Sequence, residues 1–376
     1  MARIGFDARR LRDGEVGDYS VKLLEQFPEL IRSEEIVVLV HHRDQAEVRR
    51  RAPLLEVFPI GAETGSAREV LEMGWQIRRA GLDLLHVPHA EPPLRIPCPL
   101  VVTVHDLKHL MFPRNRWAAM RAGRRLARMR SRVDLVLAPS YFVAGEVEAA
   151  YGVEESRIQI VPHGVGNDWI AQVSEEEVDA FLRRMRLVPP YVLAVARGGP
   201  LLGLDTLLAA FRELLPEAVR ASPEGLRLVL AGPGSDDAFV QGSIASFGFP
   251  ADTVRGLGAL SDREMRLAYA CAATVVAPFE SQGFGMSVLE GMAAGVPVVS
   301  SDAGGLPEAV GEAAVLFEAG SVADLRDALY RVTFGFGEEE REELVGVGLE
   351  QASRFTWEGA ARGTLAAYER VLSGST

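Results

Sequence analysis

Short apolar runs alternate with longer amphipathic stretches along the whole chain. In the first half, RIGFD is followed by the helical pattern VKLLEQFPELI and then by IVVLV, and the runs DLLHV, LVVTV and DLVLAPS come later. The second half repeats the alternation with YVLAVA, LDTLLAAFRELL, LRLVLAG, TVVAPF and PVVSS. Strands that alternate with helices are typical of parallel sheets covered by helices. The pattern therefore predicts an α/β protein built from doubly wound parallel sheets.

The alternation pauses in a polar, charged stretch from Asp168 to Leu187, which is followed by two prolines. Proline disfavours helix at the preceding residue, so regular structure should break there. A chain of 376 residues is long enough for two domains. We expect domains at 1–170 and 171–355, followed by a terminal helix at 356–376. Ligands of open parallel sheets lie beyond the carboxyl ends of the strands, so the loops there should line a cleft between the domains.

The composition narrows the classes of partner. A formal net charge of −12 argues against a nucleic-acid partner, because neutralising phosphates requires a basic face. Only two cysteines are present, Cys98 and Cys271, which fits a reducing compartment. The start, MARIGFDARR, carries charges where a signal peptide needs an apolar core, and no later run approaches a membrane span. We expect a cytoplasmic protein.

One segment of the acidic chain is strongly basic. The run from Arg114 to Arg132 contains eight arginines, with Trp117 and Met120 among them. On a helix it could make a weak peripheral contact with an anionic membrane surface. Its apolar stripe is thin, which favours the alternative of a solvated helix face.

A glycine-rich segment follows the apolar run TVVAPF. Gly283, Phe284 and Gly285 lead into SVLEGMAAG, where Ser287 is the expected N-cap of a helix. Glycines let backbone amides approach a ligand, and a helix N-terminus attracts an anion such as a diphosphate. The same spacing also fits a tight turn without a ligand. Glu290 could accept hydrogen bonds from ribose hydroxyls, or it could close a capping box with Ser287.

Polar residues also follow two other predicted strands. Arg197 comes directly after YVLAVA, where it could pair with phosphate oxygens or remain a solvated loop residue. His105 and Asp106 close the run LVVTV, a position that suits acid–base or hydrogen-bonding work in a cleft. A structural histidine with satisfied hydrogen bonds is the alternative for His105.

No metal site is expected. His86 and His89 lie close together in HVPH, but a proline separates them and no carboxylate or cysteine lies beside them. The chain has no D-x-D pattern that could anchor a divalent ion on a nucleotide diphosphate.

Taken together, the segments resemble the family 4 retaining glycosyltransferases, which have the GT-B fold of two Rossmann-like domains. The resemblance runs through RIGFDARRLRDGEVGDYSVKLL, DLLHVPH, VVTVHDLKHLMFP, DLVLAPSYFVAGEV, RIQIVPHGV, the stretch Gly256 to Phe317, and FTWEGAARGTLAAYERVL. It implies two Rossmann-like doubly wound domains that face each other across a cleft, with the terminal helix 356–376 crossing back to the N-terminal domain. It also implies metal-independent transfer of a hexose, of mannose or glucose type, with retention. The donor would be a UDP- or GDP-linked sugar and the acceptor a sugar, lipid or small molecule, with no further cofactor.

The resemblance also implies roles for matching residues. Glu290 matches the second glutamate of the family's E-x7-E motif, which binds the ribose. Arg197 matches the basic residue that neutralises the donor phosphates, and Gly17 matches a glycine of the N-terminal loop that approaches the donor. The diphosphate would lie on the backbone of Gly283, Phe284, Gly285, Met286 and Ser287. The expected catalytic residues are His105, Asp106, Arg197 and Gln282.

Three residues depart from the family pattern. Gln282 stands where the first glutamate of E-x7-E belongs, Leu202 stands where a lysine of the donor site belongs, and Glu15 stands where a glycine makes room for phosphate. Losing one charge-assisted bond to the diphosphate would cost about 1.5–3 kcal/mol, or about one to two decades of affinity. The departures keep a second hypothesis open, a catalytically impaired or silent binding or partner protein with the glycosyltransferase fold. A nucleotide-sugar epimerase is a third.

Overall fold

A computed structural model of the chain describes residues 1–32, 34–107, 129–166, 169, 173–196, 202–221 and 225–374. The chain divides into two compact units, an N-terminal unit of Met1–Gly164 with Trp357–Thr376, and a C-terminal unit of Val165–Thr356. The expected boundaries, after residues 170 and 355, lie close to those of the units. Most of the basic run 114–132 lies outside the described residues, and so does Arg197.

The N-terminal unit contains a seven-stranded sheet in the order β3-β2-β1-β4-β5-β6-β7. Every neighbouring pair is parallel. Its strands are β1 (Ala2–Asp7), β2 (Glu34–His41), β3 (Glu56–Ile60), β4 (Leu84–Val87), β5 (Leu100–Thr103), β6 (Leu135–Ala138) and β7 (Ile158–Ile160).

Helices connect these strands. They are α1 (Gly14–Leu30), α2 (Gln45–Arg51), α3 (Ala67–Ala80) and α4 (Tyr141–Tyr151), with short 3-10 turns at His42–Asp44 and Glu155–Arg157. Residues at its two ends determine where α3 begins and ends. The Ser66 hydroxyl accepts a hydrogen bond from the Glu69 amide at its start, and the left-handed Gly81 ends it.

The C-terminal unit contains a six-stranded parallel sheet in the order β10-β9-β8-β11-β12-β13. Its strands are β8 (Tyr191–Val195), β9 (Arg227–Ala231), β10 (Val254–Gly256), β11 (Thr274–Ala277), β12 (Val298–Ser301) and β13 (Val315–Phe317).

The helices of this unit continue the numbering. They are α5 (Glu175–Met185), α6 (Leu204–Ala221), α7 (Ala238–Ser246), α8 (Asp262–Ala270), α9 (Met286–Ala293), α10 (Leu306–Val310), α11 (Val322–Tyr330) and α12 (Glu338–Ser353), with a π-helical turn at Arg331–Gly335. The terminal helix α13 (Trp357–Leu372) belongs to the N-terminal unit, where it packs on α1.

Both sheets have a core on each face. Strands β4, β5, β6, β8, β11 and β12 are buried at every residue. Their apolar side chains are continuous rather than alternating because helices cover both faces of a parallel sheet. The predicted doubly wound sheets are therefore confirmed. Within the described ranges, the chain has no helix long and apolar enough to cross a membrane.

The strand order of each sheet reverses at one place, between β1 and β4 in the first and between β8 and β11 in the second. In open α/β sheets the crevice for a ligand forms at such a reversal, beyond the carboxyl ends of the strands. The loop after β11 therefore lies at the expected ligand position of the C-terminal unit.

Candidate functional site

The helix after β11 begins differently from the sequence prediction. Its N-cap is Gly285, with φ 132° and ψ 46°, so Ser287 is the second residue of α9 and not its cap. Among the described residues no side chain caps this N-terminus, and Ser287 and Glu290 do not form a capping box. A residue with a Cβ would be strained at this φ and would lie 2.9 Å from Leu306 Cδ2. A glycine has no side-chain oxygen, so the first-turn amides keep their anion-binding character.

The backbone before α9 is held by the segment that follows β12. The Gly305 amide donates a hydrogen bond of 2.8 Å to the carbonyl oxygen of Gln282. The Ser301 hydroxyl at the end of β12 donates one of 2.6 Å to the carbonyl oxygen of Phe279. Both ends of the loop are thereby fixed, which gives a rigid backbone against which a ligand can lie.

The segment after β8 meets the same loop. A Cβ added at Gly203 would lie only 1.9 Å from the Pro278 carbonyl oxygen, so the two backbones are in close contact. Leu202, next to Gly203, is half-buried. The structure therefore brings the loops that carry Leu202 and Gln282 to the same end of the sheet. Arg197, on the same segment, lies outside the described residues.

Phe284 contributes only its backbone to the loop surface. Its side chain is buried in the core of the unit and packs edge-on against Phe355, with ring centroids 5.5 Å apart. Gly283 and Gly285 on either side are buried, whereas Met286 is half-buried. Any contact that Phe284 makes with a ligand must therefore come from its main chain.

Glu290 is a buried carboxylate in the second turn of α9, with 2% of its surface exposed. The Tyr269 hydroxyl lies 3.1 Å from its Oε2 and 3.0 Å from the carbonyl oxygen of Ser287. The Tyr269 ring in turn packs edge-on against Trp169. The phenol orients the carboxylate, and the nearby N-terminus of α9 favours its negative charge.

In the N-terminal unit, both ring nitrogens of His105 are engaged. Nε2 lies 3.0 Å from the carbonyl oxygen of Pro88, and Nδ1 lies 2.9 Å from Nε2 of His163. A carbonyl oxygen only accepts, so Nε2 of His105 carries the hydrogen. In the neutral ring Nδ1 then accepts a hydrogen bond from His163. Nδ1 of His105 can therefore bind a ligand only if its hydrogen bond to His163 is broken and replaced.

Burial keeps both imidazoles neutral. It lowers the pKa of His105 to about 4, against smaller opposing effects of the Pro88 carbonyl and Asp106, and it lowers the pKa of His163 well below the ordinary value. At neutral pH His105 is therefore a hydrogen-bonding group and not a cationic acid. Asp106, next to it, is half-buried.

Aromatic rings hold the histidine pair in place. The Tyr19 ring packs edge-on against His105 at 4.8 Å between ring centroids, and it packs at a tilt of 52° against His163 at 4.9 Å. Trp357, at the start of α13, lies almost parallel to His163 at 6.1 Å. These contacts fix the planes of both imidazoles.

The segment that resembles the family's N-terminal loop is helical here. α1 begins at Gly14, so Glu15 and Gly17 lie in its first turn. A Cβ at Gly17 would lie 2.2 Å from the Leu11 carbonyl oxygen, so this glycine makes room for the chain's own backbone. Ligand atoms of Glu15, His105 and His163 lie within 4.8 Å of one another. Sequence reasoning missed this cluster, because its members come from three distant segments.

The other histidine pair, His86 and His89, makes separate hydrogen bonds within the N-terminal unit. Nδ1 of His86 lies 2.6 Å from the Tyr368 hydroxyl, and its Nε2 lies 2.8 Å from the Thr103 hydroxyl, so both nitrogens are occupied. His89 accepts a hydrogen bond of 3.2 Å from the Glu91 amide at Nδ1. Burial lowers the pKa of each to about 3.

Two family models match the chain in succession. Residues 22–168 match the model described as Glycosyltransferase Family 4, and residues 189–333 match Glycosyl transferases group 1. The two matches fall in the N-terminal and C-terminal units respectively.

Curated relatives agree with these matches. The O-antigen chain mannosyltransferase B of Escherichia coli is 26% identical over 357 residues, which cover 93% of this chain and 89% of the relative. The D-inositol 3-phosphate glycosyltransferase of Thermobifida fusca is 31% identical over 249 residues, which cover 64% of this chain. That match spans 56% of the relative, about half of its length.

Solved structures share the fold. A glycosyltransferase from Rickettsia africae superposes with a TM-score of 0.75 at 15% identity, over 99% of this chain and 98% of that one. HepE of Anabaena, solved in complex with UDP and glucose, gives a TM-score of 0.74 at 16% identity, over 98% and 100% of the two chains. WaaG, a glycosyltransferase involved in lipopolysaccharide biosynthesis, gives 0.69 at 14% identity over the full length of both. The family matches, the mannosyltransferase aligned along nearly the whole chain and the shared architecture lead to one conclusion: the protein belongs to the family 4 glycosyltransferases and has the GT-B fold of two Rossmann-like domains.

Proposed function

We propose that the protein transfers a hexose, of mannose or glucose type, from a nucleotide diphosphate sugar to an acceptor sugar, lipid or small molecule, with retention at the anomeric carbon. One observation carries the proposal. A rigid glycine loop after β11 leads into the N-terminus of α9, which no side chain of the described part of the chain caps, and an oriented carboxylate, Glu290, follows one turn later. An anion and a pair of hydroxyls at that spacing are what a nucleoside diphosphate offers.

The C-terminal unit would hold the donor. Its diphosphate would accept hydrogen bonds from the amides between Gly283 and Ser287, and Glu290 would accept hydrogen bonds from the two ribose hydroxyls. Tyr269 keeps the carboxylate in position through its bond to Oε2. The solved structures of HepE with UDP and with UDP-glucose, and the mannosyltransferase name of the Escherichia coli relative, support this class of donor.

The chemistry would need no group beyond the substrates and side chains of the chain. The acceptor hydroxyl oxygen forms the new bond to the anomeric carbon as the bond to the diphosphate oxygen breaks, and the departing phosphate takes the hydroxyl proton. Amides of the α9 N-terminus, together with Arg197, would stabilise the charge that develops on the phosphate. His105, which burial keeps neutral, would hydrogen-bond to the sugar after exchanging its bond to His163.

Calorimetric titration with UDP and with GDP tests the donor site. We expect one of the two to bind, and Glu290→Gln to weaken it about 10- to 100-fold, because a hydrogen bond to a charged group contributes about 1.5–3 kcal/mol. Glu312→Gln, an exposed carboxylate of the same unit, is the matched control and should bind normally. Failure of the natural chain to bind either nucleotide would refute the proposal.

A second candidate function is a binding or partner protein that has lost the chemistry. Leu202 and Gln282 favour it, because the loops that carry these two uncharged side chains meet at Pro278. Donor hydrolysis and transfer would be measured for the natural chain and for the double variant Leu202→Lys with Gln282→Glu. Turnover by the natural chain excludes this candidate. Nucleotide binding with turnover only in the double variant would establish it.

A further inference from the structure

We propose that Glu15, His105 and His163 form a binding site for one divalent transition-metal ion, with Zn²⁺ as the first candidate. The three side chains come from the start of α1, the segment after β5 and the segment after β7. One ligand atom of each lies within 4.8 Å of the other two. The site lies in the N-terminal unit and shares His105 with the sugar contact of the proposed function, so a bound ion and that contact would exclude each other.

The separations require little movement to accommodate an ion. Nδ1 of His105 and Nε2 of His163 are 2.9 Å apart. Around a tetrahedral zinc ion with bonds of about 2.0–2.1 Å, neighbouring ligand atoms are about 3.3–3.5 Å apart. The imidazoles would separate by about half an ångström. The Glu15 side chain is half-exposed in the first turn of α1, so a change of rotamer can bring its carboxylate closer.

The surroundings of His105 are those of a metal ligand. Its Nε2–H donates to the Pro88 carbonyl oxygen. The lone pair of its Nδ1 therefore faces His163, the second histidine of the cluster. Histidine ligands of metals usually donate their other N–H to a carbonyl or carboxylate, and this second bond sets the tautomer and orients the ring. Tyr19 and Trp357 fix the second imidazole of the pair.

Protons and bonds balance when the ion binds, and no other reactant is needed. In the absence of an ion, the hydrogen of His163 Nε2 lies in the bond to His105 Nδ1. When the ion binds, this hydrogen moves to Nδ1 of His163, and the lone pairs of His163 Nε2 and His105 Nδ1 form the two bonds to the metal. Both imidazoles remain neutral. A divalent ion with one carboxylate turns the local charge from −1 to +1.

The ligand atoms of the three side chains determine which class of metal ion can bind. Two nitrogen ligands favour zinc and neighbouring transition metals, whereas Mg²⁺ and Ca²⁺ require oxygen ligands. Two histidines and a glutamate leave a fourth position open for water or for an oxygen anion. Glu15, which departs from the family pattern, therefore has a definite role as the charged ligand.

The proposal is tested by titrating the chain with metal ions. Any affinity tag is removed first, and bound metal is stripped from the protein with a chelator. We expect one Zn²⁺ per chain by calorimetry, and Co²⁺ absorption bands typical of nitrogen and oxygen ligands. Glu15→Gln and His163→Gln should each weaken binding at least about 10-fold, the smallest effect expected even for residues that only support a ligand. Glu29→Gln, an exposed carboxylate of the same helix, and His42→Gln, an exposed histidine, should bind as the natural chain does.

Two outcomes would overturn the proposal: no Zn²⁺ binding by the natural chain, or unchanged binding in Glu15→Gln. The second outcome is decisive because Glu15 is half-exposed, so its replacement leaves the core of the unit intact, as circular dichroism would verify. Nucleotide titration of the same samples reports on the C-terminal unit, so the two proposals can fail independently.

Discussion

The phenol oxygen of Tyr368 lies 2.6 Å from Nδ1 of His86, so a side chain of the terminal helix is hydrogen-bonded to the middle of the first sheet. The other nitrogen of His86 bonds to Thr103, whose hydroxyl in turn lies 3.2 Å from that of Tyr19. Burial raises the pKa of Tyr368 well above its ordinary value, so the phenol keeps its proton. A connected polar chain inside an apolar core fixes the position of α13 on the N-terminal unit.

Replacing Tyr368 by Phe should destabilise the N-terminal unit by about 1–3 kcal/mol, because a buried imidazole nitrogen loses its partner. The free energy would be measured by urea unfolding with pulsed hydrogen exchange and mass spectrometry, which follows each unit separately. Tyr330→Phe is the control, since that tyrosine is exposed and its ring packs on Phe334. Equal stability of the two variants would contradict the role assigned to the hydroxyl.

Acid should destabilise the N-terminal unit selectively. Burial lowers the pKa of His86 and His89 to about 3 and that of His105 to about 4. The unfolded chain binds protons at these residues below about pH 6.5, and the folded chain does not, so stability falls as the pH decreases from 6.5 towards 4. The loss approaches about 1.4 kcal/mol per pH unit for each histidine.

The C-terminal unit is the internal control for this prediction. All seven histidines lie before residue 165, so its stability should change little between pH 7 and pH 5. Unfolding would be compared at the two pH values, with the exchange pulse at one fixed pH. A parallel loss of stability in both units would exclude the buried histidines as its cause.

The pattern of apolar runs predicts most of the strands, but not those at the sheet edges. β3 contains Pro59, which interrupts a strand pattern and is tolerated because β3 is an edge strand. β10 and β13 have three residues each, too few to produce a periodic signal. Buried central strands are long apolar runs because two helical layers cover them, and this information is local in sequence.

The candidate site was less accessible to sequence reasoning. The N-cap of α9 depends on the backbone angle at Gly285, where Leu306 of another segment leaves no room for a Cβ. The proximity of Glu15, His105 and His163 depends on the order of the strands, which no short motif encodes. Local patterns identify which residues can do chemistry, whereas the topology decides which of them meet.

Substitution of Arg9 should reduce the stability of the N-terminal unit strongly. Its Nη2 lies 2.6 Å from Asp7 Oδ2 and 2.6 Å from Glu69 Oε1, and the side chains of Arg9 and Asp7 are fully buried. Burial alone would raise the pKa of Asp7, but the charge and hydrogen bonds of Arg9 hold it below its ordinary value. Arg9→Met would leave two carboxylates uncompensated.

We expect Arg9→Met to destabilise the N-terminal unit by about 3–5 kcal/mol in urea unfolding. Arg362→Met is the matched control in the same unit, because its pair with Glu358 is exposed and contributes about 0.5 kcal/mol or less. A loss below about 1 kcal/mol for Arg9→Met would mean that the buried carboxylates find other partners or water.

Two glycine-to-alanine replacements should have opposite effects on stability. At Gly17 the added methyl would lie 2.2 Å from the Leu11 carbonyl oxygen, a backbone atom that cannot move without displacing the start of α1. Overpacking of this kind costs about 1–3 kcal/mol. At Gly145, inside α4, a Cβ would meet no atom of the described residues within 4 Å, and alanine is about 0.5–1 kcal/mol more favourable in a helix. Urea unfolding of both variants gives the sign of the change in the free energy of unfolding. A stabilised Gly17→Ala variant would show that α1 can begin without the close approach to Leu11.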